Sequence, residues 1–269
     1  MIFMKPKSRL HRVYNLRRGP RVVIPRPTTH AHIRYMACPT MVLPATCDLS
    51  ARFPPPYDQG QWGTCYANAA AGIVQFLSKC PAVPSRLQIA WNACVKEGEP
   101  SVKEENGIAS LVDTIAPLAT LGYALESMSV APWPYVPAYI DIQPPDAVNR
   151  DAMTRIIDSY ASVNQDLTTI KGVLSGGSPV LFGFQVYPQF ESDQCLRDGV
   201  VAYPNWYTRN MTRSLGGHAV VLTGYDDTKQ CFKVRNSWGP DVQDRGHFWL
   251  PYQYTIDPTL CYDFWVLNK

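Results

Sequence analysis

The chain has 269 residues, 46% of them apolar and 17% charged, with a formal net charge of +3. This composition describes a globular protein with one large domain or two lobes around a shared cleft, and twenty-four prolines imply much ordered loop. Its apolar runs fall far short of the ~20 residues needed to cross a bilayer, and its basic N-terminus lacks the apolar core of a secretory signal, so the expectation is a soluble, cytosolic protein.

The charge is unevenly spread. Residues 1–42 carry Lys5, Lys7, Arg9, Arg12, Arg17, Arg18, Arg21, Arg26 and Arg34 and no acid, which leaves 16 bases against 22 acids in the remainder. Such an arm either binds a polyanion or lies on the acidic body of its own chain. Pro20, Pro25, Pro27 and Pro39 argue against an independent helical domain there, and no aromatic-interleaved binding module is visible. The self-docking arm is therefore the preferred reading.

Residues 43–62 form an entry segment, which Pro54-Pro55-Pro56 forces into an extended course. Beyond it Ala67, Ala70, Ala71, Val74 and Leu77 recur at helical spacing, predicting a helix with Thr64 as N-cap and Pro81 past its end. Further helices are predicted from Ser85 through Val95 and from about Ile108 to Leu121, the latter closed by Gly122. Ala131 to Pro137 reads as a rigid loop, followed by polar helices at 151–162 and 166–174. The second half turns to strands at 180–186, 219–225, 231–235 and 264–267, with turns at Asp226-Asp227 and Gly239-Pro240. Helices first and strands second indicate an α+β chain of two unlike lobes.

The eight cysteines, Cys38, Cys47, Cys65, Cys80, Cys94, Cys195, Cys231 and Cys261, form no CxxC pair and no zinc-ligand cluster with histidine. All except Cys65 read as small buried residues. Cys65 opens a helix, where the backbone dipole favours a thiolate; a buried core cysteine at a helix start is the plainer alternative. Gln59 lies six residues upstream, with Gly60 and Gly63 between them, so a bent loop can bring its amide and backbone N–H groups near the sulfur to hold an oxyanion.

A thiolate needs a base. Of the five histidines, His11, His30 and His32 lie in the arm and His247 follows a turn, whereas His218 joins a Gly216-Gly217 lead-in to an apolar strand. Asn236, just past another strand, is placed to accept from one imidazole nitrogen, with Trp238 to shield that bond. A structural histidine and a turn-forming asparagine are the competing readings when each residue is taken alone.

Together these segments resemble the papain-like cysteine peptidases, over roughly residues 43–267 and in the family's motif order. The resemblance implies a two-lobed fold, with a helical left lobe (about 43–155), an antiparallel β-barrel-like right lobe (about 156–269) and the active site in the cleft between them. It implies Cys65 as nucleophile, His218 as general base, Asn236 as orienting amide with Trp238 over it, and Gln59 in the oxyanion hole. Asn106 and Gly107 match the strip that pairs with substrate backbone, and Tyr66 and Gly217 are expected at the substrate cleft. No metal or organic cofactor is implied, and peptides or proteins are the expected substrates.

There are departures. Trp62 stands where the family usually has a disulfide cysteine, Tyr66 replaces a commoner tryptophan, and Gly217 stands where many relatives have a polar residue. Cys65 and His218 are 153 positions apart, longer than the family's usual spacing of about 130–150, and insertions around 187–214 are expected to account for it. Residues 1–42 take the propeptide position, though shorter than usual, which suggests an autoinhibited zymogen. The overall style is similar to compact bacterial and large-DNA-virus members, implying a cytoplasmic or virion-associated setting. Two other functions fit the same chain: a catalytically silent papain-fold protein that binds peptides or serves in a particle, and a polyanion binder acting through the arm.

Overall fold

The computed structural model describes residues 33–34, 42–98 and 110–269. In chain order the strands and helices are β1 (Ile33–Arg34), β2 (Thr46–Asp48), α1 (Cys65–Ser78), α2 (Arg86–Glu97), α3 (Val112–Thr120), α4 (Asp146–Ala152), β3 (Ser159–Ser162), α5 (Leu167–Ser175), β4 (Val180–Val186), α6 (Asp193–Asp198), α7 (Trp206–Met211), β5 (Gly216–Asp226), β6 (Cys231–Arg235), β7 (His247–Pro251), α8 (Tyr252–Thr255) and β8 (Cys261–Asn268).

One eight-stranded sheet runs β1-β3-β8-β4-β5-β6-β7, with β2 added to the far end of β5. Every pairing is antiparallel except β1 on β3, which is parallel, with Ile33 opposite Ala161. That pairing fastens this part of the basic arm to the edge of its own sheet. Long β5 sits at the centre because its residues from Gly217 to Tyr225 are all buried, a near-continuous apolar run that only a strand covered on both faces can bury. Helix α1 packs on β5 and β4, and α5 covers the same two strands. Phe182 and Phe184, two apart on β4 and so on one face, join Phe190, Phe248, Tyr254 and Phe264 with ring centroids 4.9–6.2 Å apart.

Helix α1 is more deeply embedded than one apolar stripe requires. Of its residues all from Cys65 to Phe76 are buried, including the polar Asn68 and Gln75, so the alanines serve close approach on several faces. Helix α2 starts on Ser85, whose Oγ accepts from the Gln88 N–H at 3.2 Å. Helix α5 starts on Asp166, which accepts from Thr169 N–H at 2.8 Å. Gly122 follows α3 at φ 73°, where an added Cβ would lie 2.1 Å from Ala152 O; only glycine fits there.

Two sequence expectations are corrected. Residues 151–162 are not one helix: α4 ends at Ala152, and Ser159–Ser162 is strand β3, hydrogen-bonded along β8. The alternation of Ser and Tyr or Ala suits a sheet whose neighbour already exists, which local sequence does not reveal. Thr64 occupies the N-cap position of α1 without capping it. Its hydroxyl instead meets Tyr135 Oη at 2.6 Å and Asn68 Nδ2 at 3.1 Å. The 187–214 segment folds as a tight turn at Pro188–Glu191 followed by α6 and α7.

One buried base predicts an acid response. His247 on β7 is held down to a pKa of about 4, first by burial and then by the neighbouring Arg235 and Lys233 charges. Unfolded histidine titrates near ~6.5, so the unfolded chain binds the extra proton first. The neutral His247 therefore contributes stability that is present above about pH 6.5 and is lost as pH falls towards about 4, with a limiting slope of about 1.4 kcal/mol per pH unit. Denaturant midpoints followed across that window should fall less steeply for His247→Gln than for the wild type; equal slopes would show that other groups govern the response.

Candidate active site

Cys65 is the first residue of α1 and is fully buried. The backbone N–H of Ala219 points at its Sγ from 3.5 Å. Ala219 follows His218 on β5, so the strand that carries the histidine lies directly against the thiol.

His218 Nε2 is 2.9 Å from Asn236 Oδ1. The Asn236 side chain is fixed in orientation by two further bonds: its Oδ1 accepts the Ser237 N–H at 2.8 Å, and its Nδ2 donates to Gln243 Oε1 at 2.9 Å. An oxygen thus faces the ring, so Nε2 carries the hydrogen, and Nδ1 is left as the basic nitrogen of a neutral imidazole. The backbone of Asn236 is set by the Gly246 carbonyl, which accepts its N–H at 3.0 Å. Gly246 has φ 77°, and a Cβ there would sit 2.6 Å from Gly239 O and Pro56.

Aromatic rings enclose the imidazole. Trp238 stacks on it with centroids 5.4 Å apart and planes at 28°, Phe184 meets it edge-on at 5.8 Å, and Phe190 lies at 6.2 Å. Phe190 also contacts Trp238 at 4.9 Å. These rings exclude water from the His218–Asn236 bond and strengthen it. Trp238 was legible in the sequence; Phe184, Phe190, Ser237, Gln243 and Gly246 were not singled out. Phe184 lies opposite His218 in the β4–β5 register, a pairing that appears only in the folded sheet.

Gln59 is brought to the same place by the entry segment. The Gln59 N–H donates to Ser237 O at 2.9 Å and the Gly239 N–H to Tyr57 O at 2.8 Å, zipping 57–59 against 237–239. The buried Arg235 guanidinium donates to Pro54 O at 2.6 Å and Pro55 O at 2.8 Å. Burial lowers its pKa to about 10, so it stays cationic at neutral pH. The Gln59 side chain accepts from Ser237 Oγ at 2.6 Å and donates through Nε2 to the Trp62 carbonyl at 2.7 Å. An amide has two N–H hydrogens, so one remains to be offered to a ligand.

The structure therefore brings Cys65, His218, Asn236, Trp238 and Gln59 into one connected region. Tyr66 is a correction: it is 1% exposed, with its hydroxyl 3.4 Å from Cys94 Sγ on α2. As the second residue of α1 it is taken up by helix packing rather than lining a substrate wall. Gly217 is buried opposite Gln185 in the sheet. Asn106 and Gly107 lie outside the described residues. Among the described residues no cysteine is joined in a disulfide, and no group of three His, Cys, Asp or Glu side chains is arranged to hold a metal ion. No helix among them is long and apolar enough to cross a membrane.

Chemically, a thiol at a helix start, an imidazole oriented by an amide and a spare amide N–H can perform acyl transfer. The comparisons with known proteins agree with that chemistry. A family model described as papain family cysteine protease matches residues 128–259, a span that includes His218 and Asn236. The chain is 32% identical over 225 residues to an uncharacterized peptidase C1-like protein of Acanthamoeba polyphaga mimivirus, covering 79% of this chain and 69% of that protein. Among solved structures it is similar to xylellain, a cysteine protease from Xylella fastidiosa, at 31% identity and a TM-score of 0.79, with 99% of each chain covered. Digestive procathepsin L 3 of Tenebrio molitor shares the fold at a TM-score of 0.70 and 15% identity, covering 97% of this chain and 78% of that one. This chain belongs to the papain family of cysteine proteases and has the α+β papain-like fold.

Proposed function

We propose that the protein is a cysteine endopeptidase working through Cys65, His218 and Asn236, with Gln59 in the oxyanion hole. The observation that carries this reading is the Ala219 N–H at 3.5 Å from Cys65 Sγ, which sets the strand of an amide-oriented histidine on a helix-start thiol. Cys65 thiolate attacks the peptide carbonyl carbon, forming a C–S bond while the carbonyl π electrons move to oxygen. Gln59 Nε2–H and the Cys65 backbone N–H hold that oxyanion. His218, which took the Cys65 thiol proton onto Nδ1 when that thiolate formed, gives it to the leaving amine as the oxyanion electrons re-form the carbonyl and the C–N bond breaks. It then takes a proton from water, whose oxygen attacks the thioester; the C–S bond breaks and the thiolate returns. Asn236 keeps Nε2–H engaged throughout, so proton traffic runs through Nδ1 alone.

Residues 43–269 form the peptidase domain in this reading, with peptides or proteins as substrates. Residues 1–42 act as an inhibitory segment: the arm is basic, the body acidic, and Ile33–Arg34 is paired to β3 of the same chain. A reducing setting, cytoplasmic or virion-associated, suits cysteines that stand without disulfides among the described residues. One experiment tests both parts. An epoxysuccinyl probe is expected to label Cys65 in the full chain and in a chain lacking 1–42, faster in the latter, and to label neither Cys65→Ala counterpart. Equal rates would remove the inhibitory role. Absence of Cys65-dependent labelling in both forms would overturn the peptidase site.

A further inference from the structure

Arg86 is the first residue of α2, well away from the thiol in sequence, yet its guanidinium meets four acceptors from three segments. Nε and Nη2 donate to the Glu126 carboxylate at 2.7 and 3.2 Å, and Nη1 donates to Asp58 O at 3.2 Å and Asn68 Oδ1 at 3.1 Å. The group lies between two rings, 4.0 Å from the centroid of Tyr135 and 5.0 Å from that of Tyr57. Both members of the ion pair are largely buried, with side chains 11% and 14% exposed. A charge held in this way is far more constrained than a surface pair.

The hydrogen bonds have one consistent direction. Arginine can only donate, so the Asn68 oxygen faces Arg86 and its Nδ2 donates to Thr64 O at 2.9 Å and Thr64 Oγ1 at 3.1 Å. The Thr64 hydroxyl therefore donates to Tyr135 Oη at 2.6 Å, and the Tyr135 hydroxyl donates to Gln59 O at 3.0 Å. Asp58 and Gln59 at one end of the loop, and Thr64 at the other, are thus tied to a single side chain. Between the ties lies a loop with Gly60 at φ 64° and Gly63, which would not hold its shape by sterics alone.

From this circuit we infer that Arg86, acting through Asn68, Thr64 and Tyr135, is a positioning residue that fixes the Asp58–Thr64 loop so that the Gln59 amide is preorganised for the oxyanion. The inference rests on the proposed role of Gln59. Preorganised donors stabilise a transition state only while their geometry is held, and a displacement of about 1 Å costs about 100-fold. Loosening the clamp thus weakens oxyanion binding without touching the thiol or the imidazole.

The test compares Arg86→Met, which keeps the apolar stem but loses every donor, with Arg86→Lys and Tyr135→Phe. Three readouts are taken: kcat and KM separately, the Ki of a reversible peptide aldehyde whose thiohemiacetal oxygen occupies the oxyanion position, and the pH profile of Cys65 alkylation by iodoacetamide. For Arg86→Met, kcat and aldehyde affinity are expected to fall together by about 10- to 100-fold, with KM and the alkylation profile unchanged. Lysine does not rescue, because an ammonium cannot span the same acceptors or stack between the rings. Tyr135→Phe loses about tenfold in both, as expected for one hydrogen bond, and carries the test if Arg86→Met does not fold. Aldehyde affinity within twofold of wild type, or a loss shared equally by alkylation, overturns the clamp. Wild-type protein that does not bind the aldehyde through Cys65 overturns the proposed site instead.

Discussion

Cys65→Ala and His218→Ala are each expected to lower kcat on a peptide substrate by about 10⁴-fold or more, and to do so in distinguishable ways. In the proposed mechanism Cys65→Ala removes the atom that forms the acyl-enzyme, so no pH or added base is expected to restore turnover. His218→Ala leaves the thiol at the start of α1 but removes the group proposed to take and return its proton. Wild-type Cys65 should react with iodoacetamide at pH 6, where a free thiol with an ordinary pKa of about 8.5 is nearly silent. In His218→Ala that acid-side reactivity should collapse, leaving only the contribution of the helix start. Part should remain, because the Thr64 hydroxyl is turned to Tyr135 and does not cap the first turn of α1. A His218→Ala enzyme that keeps kcat within tenfold of wild type would remove the histidine from the mechanism. Unchanged alkylation at pH 6 would separate thiol activation from the imidazole.

Much of this site is legible because its chemical residues stand at the ends of regular elements, where sequence punctuation is strongest. Cys65 opens a small-residue helix, His218 follows two glycines into an apolar strand, and Asn236 closes a strand before a Trp-Gly turn. What escaped the sequence is what holds those residues still. Gln243 reaches Asn236 from a loop residue at φ 56°, and Phe190 reaches Trp238 from the turn after β4. Arg86 and Tyr135 meet the Gln59 loop only after α2 and the segment beyond Trp133 have folded over it. These contacts are long-range and leave no local periodicity. Tyr66 was misplaced for a related reason: helix phase decides whether a residue faces a ligand or the neighbouring α2, and one segment alone does not fix that phase.

The entry loop is held by tertiary contacts in the place where the family resemblance has a disulfide cysteine. Trp62 packs against a second, smaller core that includes Leu87, Trp133 and Ile140, while Tyr135 and Arg86 take the Gln59 and Asp58 carbonyls that precede it. An apolar anchor and a polar clamp of this kind do not depend on redox state. The loop that carries Gln59 should keep its geometry under reducing conditions, which is where a cysteine nucleophile also survives best.

Gln59→Ala is expected to lower kcat by about 10²- to 10³-fold, the usual cost of one oxyanion donor, with KM moved far less. The reasoning follows from what Gln59 already does in the folded protein. Its oxygen accepts from Ser237 Oγ at 2.6 Å and one amide hydrogen goes to Trp62 O at 2.7 Å, so the side chain is held at both ends before substrate arrives. Its remaining N–H has no reorganisation to undergo when charge develops on the carbonyl oxygen, and its removal is felt in the transition state more than in the bound ground state. Two further variants separate this role from a packing role. Gln59→Glu keeps the shape and the acceptor for Ser237 but replaces the donor by negative charge, so its kcat should fall at least as far as that of Gln59→Ala. Ser237→Ala removes the partner that orients Gln59 while leaving the donor in place, and should cost no more than about tenfold. Peptide-aldehyde affinity should follow kcat across the three variants, because the same oxygen position is probed without turnover. A Gln59→Glu enzyme as active as wild type would show that the oxyanion is held by backbone N–H groups alone.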